Sequence, residues 1–208
     1  MLWSTPIQAN PTNAHMVPAG PIVYRARVVA ADGVGSRPVA RFWGADPEGV
    51  LGIGETENGQ VRFLEMTHAM RGNLHGRGSS SGRHYHTWLG YHDCTPERTI
   101  YQWIDLAPAV QTFSNHLGHP VAPGKVTEAA ELLLLYAYRR TFGDLPPCNQ
   151  ADPHYNSVEK WMRNVLGITP KYHPVTGRLN VPLLDLPGVP AMSWAEALAA
   201  VGDEESEA

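Results

Sequence analysis

Apolar and polar residues alternate from Ile22 to Ala30 (Ile-Val-Tyr-Arg-Ala-Arg-Val-Val-Ala). That pattern places Tyr24, Ala26 and Val28 on one face and Val23, Arg25 and Arg27 on the other, and predicts a half-buried strand. Asp32-Gly33-Val34-Gly35 reads as a turn. Pro38 to Trp43 is a second extended segment, and Val50-Leu51-Gly52-Ile53-Gly54, after the turn signal Asp46-Pro47-Glu48-Gly49, is a third. From Gln60 to Arg71 the period lengthens. Val61, Leu64, Glu65, His68 and Ala69 then form one helical stripe and Arg62, Met66 and Ala69 another, with Gly72 as the stop. Arg83 to Gly90 predicts a short helix, and Glu97 to Leu106 is the strongest strand by composition. Pro120, Pro123 and Gly124 mark an irregular connection. Thr127 is the expected N-cap of a long helix, Glu128 to Thr141, closed by Gly143 and Pro146-Pro147. Ser157 to Leu166 has Val158, Trp161, Met162, Val165 and Leu166 at helical spacing. Residues 168 to 192 are Pro-rich, and Ser193-Trp194-Ala195-Glu196 is a capping box. Pro6, Pro11 and Pro18 predict an extended arm over residues 1–19, with the fold beginning after it. The class is α/β (α+β).

Composition narrows this picture. In 208 residues, 20 Gly and 18 Pro indicate one loop-rich domain, while six Trp and eight Tyr argue for a packed core. Cys94 and Cys148 form no disulfide framework, and the start Met-Leu-Trp-Ser-Thr-Pro has neither a basic region nor an apolar run, so a cytoplasmic location is expected. The apolar run Leu132 to Leu135 is far short of a membrane span, and no membrane partner is expected. The net charge of −4 is opposed to polyanion binding, yet Asp203, Glu204, Glu205 and Glu207 account for it in a solvated tail over 203–208. Between 62 and 98, Arg62, Arg71, Arg77, Arg83 and Arg98 outnumber the acids, and five His accompany them. That stretch offers a basic surface.

Three features carry candidate chemistry. Glu131 stands beside four leucines, where a carboxylate without a partner is costly and a cation would offset the cost; Glu128 suits the start of the same helix. Gly76-Arg77-Gly78-Ser79-Ser80-Ser81-Gly82 is either a plain linker or a loop whose backbone N–H groups meet a phosphate. His84, His86, His92 and Cys94 include zinc-ligand types, although His-x-His does not share one helix face and no second Cys pair follows, which favours solvent- or DNA-facing histidines.

Taken in order, several pieces resemble the GIY-YIG nuclease family over about residues 20–150. Pro21-Ile22-Val23-Tyr24 is similar to the strand carrying the GIY tyrosine, and Leu51-Gly52-Ile53-Gly54-Glu55-Thr56 to the YIG strand. Arg62 follows on a helix, then His75, for which His68 is an alternative. Glu131 and Phe142-Gly143-Asp144-Leu145-Pro146-Pro147-Cys148-Asn149 resemble the helix glutamate and the closing Pro-Pro-x-Asn signature. The YIG tyrosine is missing: Gly52 stands there, with Trp43, Tyr85 and Tyr91 as candidates to replace it. The span between the two strand motifs is also long, consistent with an inserted strand.

The resemblance implies a small, mostly antiparallel sheet flanked by helices over 20–152, with a C-terminal helical extension at 153–202. It implies a metal-dependent DNA endonuclease in which Tyr24 is the general base, made more acidic by nearby positive charge, and Arg62 clamps the scissile phosphate. Glu131 would hold one Mg²⁺ or Mn²⁺, Asn149 would orient Tyr24, the loop or a water, and His75 would relay a proton or contact phosphate. Arg71, Arg77, Arg83 and His84 are the further DNA-binding candidates, and a homodimer would ease duplex cleavage. A restriction, phage-defence or mobile-element role follows most directly. A structure-selective or single-strand repair nuclease, and a catalytically idle DNA-binding module, are the rival readings.

Overall fold

The computed structural model describes residues 1–33, 35–73, 80–149, 160–166, 171–172, 179–182, 184, 186–187 and 191–192. Strand β1 is Ile7–Gln8, β2 Ile22–Val28, β3 Val39–Arg41, β4 Gly44–Asp46, β5 Val50–Thr56 and β6 Thr99–Asp105; helix α1 is Gly59–Met70, α2 Ser80–Tyr91, α3 Ala107–Leu117 and α4 Pro123–Phe142. Four of the strands form an antiparallel sheet in the order β1-β6-β2-β5, with helices on both faces. No helix among the described residues is long and apolar enough to cross a membrane.

The alternation in β2 decides the two faces. Ile22, Tyr24, Ala26 and Val28 pack with Tyr101 of β6 against Phe63, Met66 and Met70 of α1 and Tyr85 and Leu89 of α2. Val23, Ile53 and Ile104 face the other way, onto Phe113 of α3 and Ala129, Ala130, Leu133 and Leu134 of α4. Trp161, Met162, Leu184 and Leu186, among the described residues of the C-terminal segment, complete that second core. Within it Met162–Leu166 is a turn of π-helix, and Lys171–Tyr172, Leu179–Pro182 and Ala191–Met192 make a separate small sheet. The capping box at 193–196, the whole segment 150–159 and the acidic tail lie outside the described residues.

Several expectations are corrected. Residues 1–19 are no arm: β1 is the edge strand beside β6, Ser4 N–H donates to the Trp103 carbonyl at 2.8 Å, and Pro11–Met16 is a 3₁₀ turn with Val17 buried behind it. The prolines sit where no ladder bond is needed. In α1 the inward stripe is Phe63, Met66 and Met70, while Val61 is half exposed, so the face predicted around Val61 and Leu64 is rotated. Thr127 does not cap α4, which begins a turn earlier at Pro123. Pro38 to Trp43 divides between β3 and the tip of the β3–β4 hairpin.

That hairpin fastens the end of α4. Trp43 N–H donates to the Phe142 carbonyl at 3.0 Å, and Arg41 Nη1 donates to the Leu145 carbonyl at 2.7 Å. Gly143, at φ +76°, ends the helix and leaves room for the Trp43 indole, which a Cβ there would meet at 2.6 Å. Behind the hairpin Asp46 is buried, accepting from the backbone N–H of Glu48 and Val50 and from the Tyr138 hydroxyl, each at 2.9 Å. Asp46→Ala strips three donors of their acceptor inside the core and is expected to cost roughly 2–4 kcal/mol in urea unfolding, with Tyr138→Phe costing about 1.

Candidate active site

The register of β5 against β2 creates the site. Tyr24 pairs with Gly54 and Ala26 with Gly52, after which Arg27 meets Val50, so Leu51 is an extra bulged residue. Gly52 and Gly54 therefore share the face that carries Tyr24. A Cβ at Gly54 would lie 2.4 Å from the Tyr24 hydroxyl oxygen, so the missing side chain is what lets the phenol cross toward the sheet edge. There the Tyr24 oxygen accepts a hydrogen bond from Arg62 Nε at 2.9 Å. The rotated face of α1 places Arg62 on its flank, half buried, with Glu65 3.8 Å away.

Past Gly54 the chain leads into a cleft of about 850 Å³ between the β5–α1 connection and the start of α4. Arg62, Glu131, Glu55, Glu57, Glu65, Lys125 and Glu128 all line it. Glu55 is anchored by a hydrogen bond from the Thr127 hydroxyl, and Gly124 makes room for the Glu57 carboxylate, which a Cβ there would meet at 2.2 Å. Arg62 and Glu131, far apart in the chain, thus line one cleft, and Tyr24, buried behind the lining, adjoins it through its bond with Arg62. Glu55 is the acid that sequence reasoning passed over; its position directly after the second strand motif was the available signal.

Electrostatics bear on two of the expected site residues. Burial pushes the Tyr24 phenol up from its ordinary value, more than Arg62 pulls it down, and Glu131 and Glu55 add to the rise. Tyr24 is thus a neutral phenol at pH 7 and not an acidified one. Burial, then the neighbouring Glu55 charge, raises Glu131 to about 7, with Arg62 opposing and Glu128 adding. The carboxylate is half protonated near neutrality, which fits a group waiting for a cation.

The donor set can be judged directly. Among the described residues no group of three or more His, Cys, Asp or Glu is placed to cage a metal. Glu131 and Glu55 offer hard oxygens at one cleft, which suits an ion that keeps most of its waters, as Mg²⁺ does, and not a closed zinc centre. Around α2, His86 Nδ1 pairs with the Met70 carbonyl at 3.0 Å, His92 stacks on Trp88, and Cys94 is buried beside Arg37.

Asn149 bonds to the backbone of Ile53 and not to Tyr24, one of the three partners expected for it. Its Oδ1 accepts from Ile53 N–H at 2.9 Å and its Nδ2 donates to the Ile53 carbonyl at 2.7 Å, while Cys148 N–H donates to the Leu51 carbonyl at 2.8 Å. The Pro-Pro-x-Asn segment therefore completes the open edge of β5 and orients the strand, not Tyr24 itself. Of the aromatic candidates at Gly52, Trp43 and Tyr91 are exposed and Tyr85 is buried. Its hydroxyl lies 2.0 Å from where a Cβ of residue 52 would stand.

Arg71 is taken up by the fold, donating to the carbonyls of Ala9 and Thr67 and pairing with Glu97. Arg83 is exposed on α2, His84 is half buried beside Tyr85, and His75 and Arg77 lie outside the described residues.

The raised Glu131 makes a stability prediction. Its folded pKa of about 7 exceeds the ordinary 4.5, so the folded state binds the extra proton and stability falls as pH rises between those values. Glu131→Gln is expected to equal wild type near pH 4 and to exceed it by up to roughly 3 kcal/mol above pH 7, read as a gap in melting temperature that opens with pH.

Comparison of the chain with protein-family models, with curated proteins and with solved structures found no match.

Proposed function

We propose that the chain is a metal-dependent DNA endonuclease of the GIY-YIG kind, hydrolysing phosphodiester bonds at the cleft. The observation that carries this reading is the convergence of Tyr24, Arg62 and Glu131, with Arg62 Nε already hydrogen-bonded to the phenol. Phosphodiester hydrolysis needs an oriented water, positive charge against the phosphate oxygens and relief of charge on the departing oxygen.

Arg62 suits the second task. Its planar fork is held at Nε, which aims the Nη edge, and a lysine has no equivalent of that geometry. Tyr24 supplies a fixed oxygen for a water. Because it remains protonated in the free protein, taking a water proton requires passing its own onward, and its first task is orientation. Glu131, with Glu55 beside it, is the residue that would hold Mg²⁺ or Mn²⁺; such an ion, when bound, supplies the charge that stabilises the departing oxygen.

The cleft lining supports the cation requirement. Five carboxylates face two cations, Arg62 and Lys125, so a bare phosphate is repelled until positive charge enters. A restriction, phage-defence or mobile-element setting accords with this reading, and so does cytoplasmic action on DNA.

Supercoiled plasmid incubated with Mg²⁺ or Mn²⁺ tests the proposal. Wild type is expected to cleave it, and Tyr24→Phe, Arg62→Ala and Glu131→Ala to lose about 100-fold or more. The wild-type rate is expected to climb with pH through about 7 as Glu131 ionises. Equal activity in all four proteins rules the assignment out. Preference for flaps or single strands selects the repair-type reading, and DNA binding without cleavage selects the idle module.

A further inference from the structure

The face of β5 that carries Tyr24 has two side-chain seats left empty by glycine, and each holds a phenol. At Gly54 the occupant is Tyr24 from the neighbouring strand; at Gly52 it is Tyr85 from α2. The seats are two residues apart, so the pleat separates them by roughly 7 Å. We propose that Tyr85 is a second phenol of the site, a positioning residue delivered by α2 to the place where residue 52 has no side chain. This rests on the nuclease reading and names a residue it does not otherwise use.

The place of the hydroxyl marks it out. Tyr85 is 2 % exposed, yet its oxygen is not one of the enclosed side-chain atoms without a partner among the described residues, as that of Tyr101 is, and the neighbouring Tyr24 oxygen is held by Arg62. In the proposal its polar partner comes with the reaction, a water or an oxygen of the substrate phosphate. The charged and titratable groups facing Tyr85 are Tyr24, Cys148, Arg62 and Glu131, three of them the residues assigned to the chemistry. Leu89, one turn further along α2, is buried in the same core and fixes the helix so that the phenol cannot withdraw without opening it.

Tyr85→Phe removes one oxygen and keeps the ring. In steady-state cleavage of a DNA duplex with Mn²⁺ it is expected to lower kcat at least 10-fold while KM stays within 2-fold and the melting temperature is equal to or above wild type. Moving the phenol back to the strand, in the double variant Gly52→Tyr with Tyr85→Gly, is expected to regain activity over Tyr85→Gly alone, with folding checked by the melting temperature. Full activity of Tyr85→Phe, or a loss carried by KM or by unfolding, overturns the proposal while an inactive Tyr24→Phe leaves the nuclease reading standing. An inactive wild type overturns both.

Discussion

A phenol oxygen buried in the central strand accepts a hydrogen bond from a guanidinium on the helix above it, and most of the site follows from that contact. Tyr24 and Arg62 fix how α1 lies over the sheet, because a bond of 2.9 Å between two side chains with little access to water tolerates little sliding. The contact in turn needs Gly54, since any side chain there would occupy the phenol's path, and it needs the bulge at Leu51, which keeps Gly52 and Gly54 in register with Ala26 and Tyr24. Asn149 then secures the outer edge of the same strand, bonding to both backbone groups of Ile53. Sheet, helix and closing loop meet around three consecutive residues, Gly52 to Gly54.

The cleft is costly to the fold in a way the proposed chemistry explains. Glu131 sits close enough to Glu55 and deep enough in the protein that its ionised form is disfavoured, and the surrounding lining is mostly acidic. An apolar or amide side chain there would serve the fold better. Strain of this kind concentrates at functional sites, where a missing counter-charge arrives with the ligand.

The parts of this arrangement that local pattern encodes were legible beforehand. Strict alternation marked β2 and β6, and Gly143 with two following prolines marked the end of α4, because period and cap chemistry act over a few residues. β1 is only two residues long, too short for a period to show, and α3 was hidden by Pro108, which a helix accepts in its first turn. The α1 face was misread because Val61 and Leu64 suggested burial, while the sheet below selected Phe63 and Met66. Side-chain order along the chain pointed to Tyr24, Arg62 and Glu131. The seat at Gly52, the partner of Asn149 and the nearness of Glu55 all depend on three-dimensional register, and no spacing along the chain reports them. The direction of the Tyr24 shift was likewise a contest between burial and one cation, decided only by depth.

The amino-terminal segment has a practical consequence for anyone moving this unit into another protein. Ser4 and Ala9 donate to the far side of β6, and Arg71 reaches from the end of α1 to the Ala9 carbonyl, so the first nine residues act as a clasp joining the outer strand to the helix that bears Arg62. A graft starting at the first strand motif near Pro21 would carry every residue assigned to the chemistry and leave the guanidinium's helix without its tether. The smallest transplantable piece is longer, on its amino side, than the motif suggests.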